Sequence, residues 1–148
     1  MIQNIKHLVT NIKGFCVSHK QINSYYHGDV VEVLRGNTEI VYTTMITSVT
    51  NAVVNPFDIT VTLNIMVLDK ILRDRINKLE VESNTLLVLG DFVNYVQSNN
   101  DIFRYARIVG SPTAVKIEDK AFDVVDGWQC TAQFKLRKLN GLCEMPLN

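Results

Sequence analysis

Cysteine is scarce in this chain: Cys16, Cys130 and Cys143 are the only three in 148 residues, widely spaced and without a CxxC pair. An odd, scattered set builds neither a disulfide framework nor a zinc site. Reduced structural thiols in a cytosolically made protein are the expectation. An excess of one charge is missing too, because 15 basic and 15 acidic residues cancel. That balance excludes a protein whose whole surface grips nucleic acid or an anionic membrane, while leaving room for a local basic stripe. Long apolar runs are absent. The N-terminal stretch sets Lys6, His7 and Lys13 among helically spaced apolar residues, which fits neither a signal peptide nor a membrane span. The product is expected to stay soluble in the cell that makes it. No GxGxxG or GxxxxGK phosphate loop occurs; Gly36, Gly90, Gly110, Gly127 and Gly141 are isolated,. No internal repeat, linker or low-complexity segment divides the chain.

Catalytic wording is equally thin. His7, His19 and His27 are the three imidazoles. His27-Gly28-Asp29 could pair a base with its orienter, but no Ser or Cys nucleophile stands near it in a strand–turn setting,. Asp69, Asp74, Glu80, Glu82 and Asp91 are close enough in sequence to suggest a two-metal nuclease. They are, however, interleaved with Lys70, Arg73, Arg75 and Lys78, and mixed signs mark a solvated or interface surface rather than converging metal ligands. No aromatic residue is interleaved with those four bases to stack nucleobases. The residues therefore predict no catalytic centre, no metal and no cofactor.

What is present is an architecture. With 47% hydrophobic residues, disorder is not expected. One domain over residues 1–148 is the natural partition, and it buries about 68–70% of its unfolded surface. Ile2, Ile5, Leu8 or Val9, Ile12, Phe15 and Cys16 recur at helical intervals, predicting a first helix from Ile2 to His19,. Gln21 to His27 reads as a connection, with Tyr25-Tyr26 folding over the core edge. A strand from Val30 to Leu34, a hairpin turn at Arg35-Gly36-Asn37-Thr38 and a strand from Glu39 to Val49 follow,. Ser48 to Pro56 reads as a loop or irregular hairpin tip carrying Val49, Ala52, Val53 and Val54. From Phe57 to Val67 every odd position is apolar, and Asp58, Thr60, Thr62 and Asn64 fill most of the positions between. This period of two predicts a long half-buried strand to Leu68. A charged connector, Asp69 to Glu82, leads to a second helix from Ser83, its N-cap, to Ser98, with Leu86, Leu87, Leu89, Phe92, Val93 and Val96 as its stripe,. Strands at Phe103 to Val109, Ala114 to Phe122 and Gly127 to Lys138 complete the chain, and residues 139–148 are expected to form an extended tail. The order α-β-β-β-α-β-β-β predicts an α+β fold with a mostly antiparallel, twisted sheet packed by two helices on one face.

The run from Gly28-Asp29 through Glu32-Val33, the hairpin, the alternating strand, Leu68-Asp69-Lys70, Asp74 to Thr85 and Gly90-Asp91-Phe92 resembles small neck and tail-completion proteins of tailed bacteriophages. It is similar to the ring proteins of crAss-like phages. Where such relatives carry a Ser-Asp-Thr step into the second helix, this chain has Ser83-Asn84-Thr85, a change that keeps a capping serine. The resemblance implies a tail-terminator-like fold without enzymatic activity. It also implies a homo-oligomeric ring, a hexamer or dodecamer, between portal or connector and tail in the virion. Such a subunit forms part of the channel for genomic DNA, without sequence-specific binding and without a membrane. Ring closure needs two different faces of each protomer to meet. The faces the sequence offers are Val49, Val53 and Val54 with Lys70, Arg73, Arg75 and Lys78 for neighbours, and Thr60, Thr62 and Asn64 for the channel. The competing readings are a small metal-dependent nuclease using Asp69, Glu80, Glu82 or Asp91, and a monomeric protein-binding module.

Overall fold

The alternation that starts at Phe57 becomes the central strand of the sheet. A computed structural model describes residues 4–29, 32–34, 40–72, 75–99, 101–104, 106–117 and 125–137. Within them lie α1 (Ile5–Ser18), β1 (Ser24–His27), β2 (Thr44–Val54), β3 (Asp58–Lys70), α2 (Lys78–Ser98), β4 (Ala106–Ile108), β5 (Ala114–Lys116) and β6 (Val125–Arg137). The sheet runs β1-β2-β3-β6-β4, with β5 also paired to β6. Only β1 and β2 are parallel; every other pairing is antiparallel. The fold is α+β, as the order of elements implied.

Val61, Leu63, Ile65 and Val67 of β3 are fully buried on the helix side. Each contributes about 1.5–3 kcal/mol by leaving water, so this face dominates the energetics. Leu8, Ile12, Phe15 and Cys16 of α1 and Val88, Leu89, Phe92 and Val96 of α2 pack into the same cluster. Helix α1 starts at Ile5 rather than Ile2, because the Asn4 side chain accepts the His7 N–H at 2.9 Å and caps it,.

Several expectations are corrected. Ser24–His27, expected to be a connection, is a strand lying parallel to Thr44–Thr47. Residues 32–34, expected to be in a strand, are helical; the Asp29 carboxylate and carbonyl accept the Glu32 and Val33 N–H groups and start the turn,. The second strand begins at Thr44, not Glu39. It runs on through Val54, so the expected loop from Ser48 is mostly strand, paired residue for residue with β3 apart from one bulge between Val49 and Asn51,. Helix α2 begins at Lys78, not Ser83. The Asn77 side chain accepts the Leu72 N–H and donates to the Lys70 carbonyl, fastening the end of β3 to the helix start. The buried stripe of α2 is Val81, Thr85, Val88, Leu89, Phe92 and Val96; Leu86 and Leu87 are exposed. Strands β4 and β5 are three residues each, shorter than expected. The turn at Arg35–Thr38 and the tail at 139–148 lie outside the described residues.

The sheet's second face is not uniformly polar. Val33, Ile46 and Leu68 form a smaller core there, flanked by Tyr26, Leu34, Tyr42 and Met66. This cluster covers the end of the sheet nearest β1. Among the described residues, the other end, around Thr60, carries no helix.

Candidate functional site

The three histidines take separate positions. His7 is exposed at the start of α1. His19 Nε2 lies 2.9 Å from Asp91 Oδ2, joining the two helices, and its ring packs on Phe15 at 5.4 Å between centroids. His27 Nδ1 meets the Thr47 hydroxyl at 2.8 Å, and the Tyr25 hydroxyl meets the same oxygen at 2.6 Å. Burial holds the His27 imidazole below its ordinary pKa. Burial also pushes the Cys16 thiol up to about 12, Cys130 to about 11 and the Tyr25 phenol to about 12. Both described cysteines are buried thiols, protonated at neutral pH and so poor nucleophiles.

The carboxylates of the connector disperse. Asp91 bonds His19, while Glu82 lies near both Lys78 (3.9 Å) and Lys116 (3.7 Å). Lys116 also pairs with Asp126. Among the described residues no three His, Cys, Asp or Glu side chains converge as metal ligands; Asp74 lies outside them.

The expected interface residues fall toward opposite ends of β3, whose 13 residues span about 40 Å,, except Val49, which sits opposite Leu63 midway along it. At one end, β1 covers only Thr44–Thr47 of β2, so that among the described residues Ser48–Val54 form an open edge. Register puts Val53 opposite Thr60 on the face away from the helices, and Val54 opposite Ile59 on the helix side. Both valines are exposed, as is Val49, and Phe57 at the turn is 79% exposed. At the other end stand Lys70, Arg75 (left-handed, φ 58°) and Lys78; Arg73 lies outside the described residues. Beside these bases the same end exposes Leu72, Ile76 and Leu79, with Leu86 and Leu87 further along α2. Leu86 and Leu87 are expected in the buried stripe of the second helix, whereas Leu72, Ile76 and Leu79 fall in the stretch expected to be a charged connector.

Of the expected channel positions, Thr60 and Asn64 are half-buried and Thr62 is 7% exposed. Cross-strand rows place Val53, Thr60, Lys135 and Arg107 side by side, then Asn51, Thr62 and Gln133, then Ser48, Asn64 and Thr131. This half of the far face is polar and becomes basic toward Arg137. No helix among the described residues is long and apolar enough to cross a membrane. Compared with known proteins, the chain matches no family model and no curated sequence.

Proposed function

We propose that the chain is a structural subunit of a ring in the neck or tail of a tailed-phage virion, joining portal or connector to tail and forming part of the DNA channel. The observation that supports this reading is a pair of different exposed apolar patches at opposite ends of β3. One is the open edge of β2 with Val53 and Val54; the other is Leu72, Ile76 and Leu79 beside the start of α2. Exposed apolar patches mark interaction surfaces. Two unlike patches on opposite ends suit head-to-tail packing, the arrangement that closes rings of identical copies. The half-buried Thr60 and Asn64, with the buried Thr62 between them, then offer a polar wall toward DNA without a base-reading element.

Size-exclusion chromatography with light scattering, followed by negative-stain imaging, tests the assembly. The expected result is a closed oligomer of six or twelve copies. Replacing Val53 and Val54 with Asp should shift the oligomer to monomer while leaving the melting temperature unchanged, because both side chains are exposed. Phage particles that assemble normally with both substitutions would overturn the proposal.

A further inference from the structure

Beyond the start of β3, the far face of the sheet ends in an open cavity of about 570 Å³, lined by Phe57, Asp58, Arg104, Arg107, Lys135 and Arg137. Among the described residues that line it, four cationic side chains meet one carboxylate, in a chain whose charges cancel overall. Strand register builds the crowding. Arg107 of β4 sits directly opposite Lys135 of β6, a like-charge pair that disfavours the sheet on its own. Arg137 is two residues further along the same face. Asp58, opposite Arg137, lies 3.6 Å from Lys135. Its carboxyl stays below the usual range, first through the Asn55 amide and then through Lys135 and Arg137. Asp58 is the one carboxylate among the described residues that line the cavity, where it stands beside Arg107, Lys135 and Arg137. The Phe57 ring, 79% exposed, lines the same cavity.

We propose that this cavity binds single-stranded nucleic acid, with backbone phosphates on Arg107, Lys135 and Arg137 and one base stacked on Phe57. Guanidinium forks match phosphate oxygens in bidentate geometry. A cationic groove beside an exposed aromatic ring is the arrangement that holds single strands with little sequence preference. A duplex keeps its bases stacked on one another and offers no free face to Phe57, so single strands are favoured over duplexes. The cavity volume falls within the range of small-ligand sites and accommodates one nucleotide unit. The site stands independently of any ring, since every residue in it comes from one copy.

Fluorescence anisotropy of a labelled twelve-residue oligothymidylate with the full-length chain, over a salt series, tests this. Binding should weaken with salt by a slope of about 0.7 per phosphate contacted. Replacing both Arg107 and Arg137 with Gln should lower that slope by about 1.4. Phe57→Ala should weaken binding about tenfold while leaving the slope and competition by inorganic tripolyphosphate unchanged. All three positions are exposed, so circular dichroism melts should match the parent protein. No binding, equal binding of polyglutamate, preference for a duplex of the same length, or an unaffected Phe57→Ala protein would each overturn the proposal.

Discussion

Gly127 shows how much one residue can carry. It sits in β6 opposite Leu68, where a Cβ would overlap the Val67 carbonyl oxygen and stand 2.9 Å from its carbon and 3.2 Å from the Leu68 Cα. These neighbours are backbone atoms of the central strand and cannot swing aside. Gly127→Ala should therefore cost about 3 kcal/mol, seen as a melting temperature lower by about 10 °C. A melt within 2–3 °C of the parent, about 1 kcal/mol for a chain of this size, would show that β3 and β6 can separate locally at that point. The thiols make the opposite point at the same scale. Cys16 and Cys130 are chemically quiet because they are buried, Cys16 against Met45 with 3.4 Å between sulfurs.

At the scale of elements, the ends of strands and helices were harder to read than their middles. Helix α2 illustrates why. Ser83 followed by an apolar run is a sound start signal, but Asn77 hydrogen-bonds back to Lys70 at the end of β3 and to Leu72 just beyond it, and Val81 is buried. Tertiary anchoring moved the start five residues earlier. Asn77→Ala should cost about 1–2 kcal/mol, measured as a lower urea midpoint with an unchanged slope. Ser83→Ala should leave the midpoint within about 0.5 kcal/mol equivalent. The reverse ranking would return the cap to Ser83. A similar override acts on Ser48–Val54, whose composition resembles a loop. Pairing with Ile59–Asn64 supplies its backbone hydrogen bonds on one side and draws it into the sheet,.

For the whole molecule, the two apolar patches make a sharper test of head-to-tail assembly than oligomer size does. A protein with Val53 and Val54 changed to Asp keeps the α2 patch. One with Leu72 and Leu79 changed to Asp keeps the β2 edge. Each alone should be monomeric, and an equimolar mixture should form heterodimers and go no further, because each pair leaves only damaged faces outward. Analytical ultracentrifugation separates the cases. A variant that dimerises by itself would show that the contact uses the same patch on both copies, and a mixture that stays monomeric would overturn the head-to-tail scheme. The expected ring bases at Lys70, Arg75 and Lys78 are peripheral in this scheme, since exposed ion pairs contribute little compared with apolar burial.

The α+β class, the α1 stripe and the two faces of β3 were determined by sequence alone. Each is a periodicity of neighbouring residues, and periodicity selects its own element wherever one face can be buried. The tertiary structure decided what depends on residues far apart. Strand β1 exists because Thr44–Thr47 offers it a parallel partner, and four residues carry too little periodicity to announce that. The basic cavity exists because register brings Asp58, Arg107, Lys135 and Arg137 together across three strands. In sequence these residues are separate charges on separate segments. Register pairs them only after the apolar face of β3 has selected its partners.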